Sequence, residues 1–132
     1  MTEIEALEKS IEMWTWLRDE AIQGRVHGKK DWFEKTGNDY VFSNCYLCEY
    51  AKESKGEYKC QNCPVENWGK YKLQSSRNVF YYPCTQPESP YSKWSRGFMF
   101  GNDVIEGATK MVELLEQTLN DLKLNDLKEK NL

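Results

Sequence analysis

Two Cys-x-x-Cys pairs, Cys45/Cys48 and Cys60/Cys63, lie eleven residues apart in the segment CYLCEYAKESKGEYKCQNCPVENW. Twenty further residues separate Cys63 from a fifth cysteine, Cys84. A Cys-x-x-Cys turn aims both sulfurs at one ion and lets backbone N–H groups donate to them. Two such turns supply the four thiolates of a tetrahedral zinc site. The spacing therefore predicts structural Zn2+ held by Cys45, Cys48, Cys60 and Cys63. The gap is shorter than the usual fifteen to twenty, but KESKGEYK has the glycine and polar residues to turn a hairpin inside it.

Other thiol chemistry fits less well. Common iron–sulfur spacings differ from this one, and glycine does not follow either pair, as it does in rubredoxin-type iron sites. A thioredoxin-like redox pair needs a βαβ context that the chain lacks. Catalytic zinc keeps an open position beside an acid or base, and the deaminase pattern of His-x-Glu with Pro-Cys-x-x-Cys is not met. Cys84 is either a small buried apolar residue or a substitute ligand in place of Cys60. His27, the single histidine, stands in the basic loop GRVHGKKD and is a minor competitor for the metal.

The elements that must hold these turns lie on either side of them. Residues 1–24 read as a helix. Thr2 can cap it with Glu5 three residues on, and Ile4, Leu7, Ile11, Trp14, Leu17 and Ala21 form one apolar face. Gly24 ends the pattern. Residues 103–128 repeat this, with Asp103 and Glu106 at the start and Ala108, Met111, Val112, Leu115, Leu119 and Leu122 as the stripe. Residues 129–132 are expected to fray. The insert, 25–102, reads as irregular with short strands: DYVFSNCYL entering the first cysteine turn, and NVFYYPC ending at Pro83. TQPESPYSKW, with two prolines, reads as a loop, and RGFMFGN offers aromatics to the core. The expectation is one α-rich (α+β) domain over 1–132. Its two amphipathic terminal helices pack together around a zinc-bound insert, unless their stripes serve a homodimer.

Bulk composition agrees with a small stapled core. Five Trp, eight Tyr and five Phe in 132 residues supply large burial per side chain. The acidic start MTEIEALEKS has no apolar h-region. No stretch nears the roughly eighteen apolar residues of a membrane span. A cytoplasmic location follows as the expectation, with reduced thiols, and the odd cysteine count also argues against a disulfide framework. Net charge is −3 and unevenly spread: −4 over residues 1–23, +4 over 24–96 and −3 over 97–132.

The succession LEKSIEMW, CYLCEY, CQNCPV and PCTQPESPYSKW resembles a group of small, mostly uncharacterised bacteriophage and prophage proteins. Their pattern runs Ser-Ile-x-His-Trp, Cys-x-Leu-Cys, Cys-x-x-Cys-Pro, then Cys followed by Thr-Pro-Tyr and often Trp. It falls on Ser10, Ile11 and Trp14; on Cys45, Leu47 and Cys48; on Cys60, Cys63 and Pro64; and on Cys84, Pro90, Tyr91 and Trp94. Met13 stands where the group has histidine, and TQPESPY is longer than the usual Thr-Pro-Tyr. The resemblance implies a phage origin, a metal-binding module and a motif role for Cys84. It implies no reaction.

Two functions follow as expectations. The first is a non-catalytic, zinc-stapled protein that binds and modulates a host protein in host takeover or counter-defence, within the host cytoplasm. The alternative is nucleic-acid binding through the basic and aromatic residues Lys29, Lys30, Trp32, Lys70, Lys72 and Arg77, with aromatic rings as platforms for single strands. Catalysis has no His-bearing triad beyond His27 to draw on and no phosphate-binding glycine loop.

Overall fold

A computed structural model describes residues 1–37, 45–48, 50, 63–65, 89–100 and 103–130. The described residues include the helices α1 (Glu3–Ile22), α2 (Lys29–Thr36), α3 (Pro90–Phe100) and α4 (Val104–Lys130). α1 starts where Thr2 Oγ1 accepts the Glu5 N–H at 3.1 Å. It ends in a Schellman turn: the Arg25 N–H reaches the Glu20 carbonyl at 2.8 Å, and the Gly24 N–H reaches Ala21 at 3.0 Å. That turn needs a left-handed residue, and Gly24 supplies it with φ of 85°.

The two terminal helices pack together, and α3 lies along α4. Leu7, Trp14, Leu17 and Ala21 of the α1 stripe are buried, with Ile4 and Ile11 half-covered beside them. Ala6, Ser10 and Met13 are buried as well. From α4 come Val104, Ala108, Met111, Val112, Leu115 and Leu119. Both stripes are thus spent within one chain. Methionine at position 13 is apolar core, 1 % exposed.

Three expectations for the insert give way. GRVHGKKD is loop only to Gly28, because Lys29 opens α2. The Gly28 N–H is capped by the Asp31 carboxylate at 3.0 Å, and Gly37, φ 66°, closes the helix. TQPESPYSKW does not stay a loop: Ser89 Oγ accepts the Ser92 N–H at 3.1 Å, and Pro90 takes the first helical position. Proline is favoured there because its missing N–H would have no intrahelical partner. Of the first strand candidate, Tyr46 and Leu47 lie in a helical turn with Cys48. Residues 39–44 and the second candidate, 78–84, lie outside the described residues, which contain no strand. α4 runs to Lys130, past the expected end at 128.

α3 and α4 approach closely through glycine. A Cβ added at Gly107 would sit 2.5 Å from Trp94 Cα and 2.7 Å from its Cβ, and one at Gly97 would strike the Val104 nitrogen. Lys93 and Glu106 pin the same crossing at 2.7 Å. Their pairing, with Lys110 second, holds the Glu106 carboxyl below the ordinary carboxylate range. Gly107→Ala is a gain in an isolated helix. Here backbone and a packed indole block the methyl group, so a loss of about 1–3 kcal/mol is expected in urea denaturation.

Candidate metal centre around the first cysteine pair

Tyr46 and Leu47, between the first two cysteines, are buried in the main apolar cluster together with Val65, two residues beyond Cys63. Segments from both Cys-x-x-Cys motifs therefore reach one core. The half-buried Cys45 and Cys63 also pack against it. Trp32 of α2 fixes the first turn: its Nε1–H donates to the Tyr46 hydroxyl at 3.0 Å, and Phe33 meets the Tyr46 ring at 5.2 Å. Lys9 of α1 covers the same ring at 5.8 Å.

Cys45, Cys48 and Cys63 are half-buried. The Cys45 thiol is pushed down to about 6, first by the hydrogen bond from the Cys48 side chain. Burial opposes this, while the Lys29 charge and the backbone N–H groups of Cys48 and Leu47 add to it. A sulfur ringed by donors at a tight turn is what a thiolate ligand requires, since the metal takes the deprotonated form. Cys45 thus meets one requirement of a thiolate ligand, a sulfur whose deprotonated form is favoured. Among the described residues, no three His, Cys, Asp or Glu side chains converge as a metal group. Cys60 and Cys84 lie outside the described residues.

A lowered Cys45 pKa has a direct consequence for reactivity. Only the thiolate attacks an alkylating reagent. In metal-free protein, iodoacetamide labelling of Cys45 is expected to rise with pH through a midpoint near 6. Cys48→Ala removes the largest cause and is expected to move that midpoint towards the ordinary thiol range of about 8.5. Peptide mapping of the labelled site reads both.

Of the basic and aromatic candidates, Lys29, Lys30 and Trp32 are among the described residues. Trp32 is 5 % exposed and cannot offer its face to a base. Lys29 lies 4.6 Å over the ring of Tyr91, tying α2 to α3. Lys30 points to solvent near Glu34, 3.8 Å away. Lys70, Lys72 and Arg77 are outside the described residues. His27 does not lie loose in a basic loop: its ring nitrogens face Glu20 and Asp31, and it stacks on Trp16 at 4.6 Å. The sequence stripe passed over Trp16, whose ring also meets Trp32 at 5.7 Å and so links the α1 end to the cysteine turn. Its signal was its aromatic type three residues on from the buried Met13, at the edge of the core face.

Trp14, Tyr91 and Trp94 meet: the Trp14 ring is edge-on to Trp94 at 4.8 Å and to Tyr91 at 6.1 Å. Compared with protein-family models, curated proteins and solved structures, the chain matches none. No described helix is long and apolar enough to cross a membrane.

Proposed function

We propose that the chain is a phage-type interaction protein, non-catalytic and stapled by structural zinc, that binds and modulates a host protein. The zinc is assigned to Cys45, Cys48, Cys60 and Cys63, with Cys84 as the substitute to be tested. The observation that carries the staple is the Cys45 turn, where side-chain and backbone donors favour the thiolate and Tyr46 and Leu47 anchor the turn in the helical core. Zinc bound there would hold the thiolates deprotonated and tie the two cysteine segments to α2. The phage assignment rests on the sequence resemblance.

The binding surface is assigned to the outward face of α1. Glu5, Glu8 and Glu12 are exposed there, while the opposite face is committed to the core. A carboxylate row on a rigid helix suits a basic partner surface and speeds its encounter. The test uses the zinc-loaded chain as bait in host lysate, beside a Glu8→Lys/Glu12→Lys variant of equal stability. One protein captured in fixed ratio by the native chain and lost with the variant is expected. Equal capture by both, or none, contradicts the reading.

A further inference from the structure

The corner between α1 and α2 holds a charged cluster that the metal reading does not use. His27 Nε2 lies 3.2 Å from Glu20 Oε1, and Nδ1 lies 3.4 Å from Asp31 Oδ2. Each carboxylate also has a fixed partner on its own side of the corner. Arg25 donates from Nε to both Glu20 oxygens at 3.1 Å and from Nη2 to Oε2 at 2.6 Å. Asp31 Oδ2 accepts the Gly28 N–H at 3.0 Å. The imidazole lies between these two anchored acids, and its face rests on Trp16. Lys35 Nζ lies over the same indole, 5.8 Å from its centroid.

A neutral imidazole has one N–H and one lone pair, whereas the imidazolium has two N–H groups. Two carboxylate oxygens facing the two nitrogens are both satisfied only by the second form. With one proton, a lone pair faces a carboxylate. We propose that His27 is a proton-controlled latch: doubly protonated, it bridges Glu20 at the end of α1 to Asp31 at the start of α2, and on losing a proton it releases one of them.

The sign follows from the donors. The bridge is closed when the imidazole carries two protons and half-open when it carries one. Arg25 is the largest cause holding the Glu20 carboxyl below its ordinary range, so this acceptor is still charged when the imidazole protonates. What the latch positions is α2, whose Trp32 and Phe33 grip Tyr46 in the first cysteine turn.

The chain has one histidine, so its ring resonances identify themselves by NMR. Backbone amide exchange of α2 in the full chain, divided by intrinsic rates, reports the latch. Protection is expected to be about two- to fivefold higher near pH 5.5 than near pH 8, changing in step with the His27 ring shifts. His27→Gln keeps one donor and cannot titrate, so its protection is expected to be the same at both pH values. Asp31→Asn, which can still accept the Gly28 N–H, serves as a second variant and is expected to weaken the pH dependence. pH-independent protection in the native chain overturns the proposal, as does an unchanged pH dependence in a folded His27→Gln or Asp31→Asn variant.

Discussion

Trp14→Ala is expected to cost about 3–5 kcal/mol, the range for removing a buried aromatic side chain. The indole is 3 % exposed, and the helix around it cannot collapse into the space. Trp94 and Tyr91 meet its faces and edges from α3, and α3 is held against α4 by the glycine crossing at Gly107. Filling the void would require α3 to move towards α1 and away from α4. Trp14→Phe keeps a ring and much of the volume, so a smaller loss is expected. Urea denaturation followed by far-UV circular dichroism reads the difference. Trp16→Ala is the contrasting case: Trp16 is only half-buried, so the expected loss is smaller and concentrated in α2, which Trp16 reaches through His27 and Trp32.

Removal of the proposed zinc is the second large effect expected. Structural zinc in small modules binds with apparent free energies of about 10–16 kcal/mol near neutrality, and that binding is folding free energy. A chelator strong enough to strip the ion is expected to lower Tm and change near-UV dichroism, because Tyr46 is bonded to Trp32 and stacked near Phe33. Far-UV helical signal is expected to persist at low temperature, since the α1–α4 core is built from residues outside the cysteine segments. Cys45→Ser is expected to reproduce the chelated state and to be insensitive to added zinc. An unchanged melting curve after complete metal removal would show that no staple exists.

Local chemistry explains which parts of this fold were legible in the sequence. The terminal helices were, because each repeats apolar residues over several turns and carries its own start and stop signals. Thr2, Gly24 and the stripes through Leu7, Leu17, Leu115 and Leu119 all do in the structure what their spacing demands. α2 was missed because its eight residues hold too few turns for a period to emerge. Its signals were the Gly28–Asp31 cap and the terminal Gly37. α3 was missed for a different reason: Pro90 read as a breaker, although Ser-Pro at a helix start is a cap followed by a favoured first residue.

The candidate site divides in the same way. Spacing alone proposes the four thiol positions, of which Cys60 lies outside the described residues. The lowered Cys45 pKa was not legible, because it depends on where the Cys48 side chain and the Leu47 amide point once the turn forms. The burial of Trp32 could not be read from its basic neighbours, because it depends on α2 folding back onto α1. The His27 cluster depends on the Schellman turn that brings Arg25 back over Glu20.

The most direct measurement of the staple is native mass spectrometry of the chain purified at neutral pH, together with its Cys45→Ser, Cys63→Ser and Cys84→Ser variants. One zinc ion per chain is expected, lost in the first two variants and kept in the third. A folded native chain that carries no metal, or one that keeps its metal without Cys45, would contradict it.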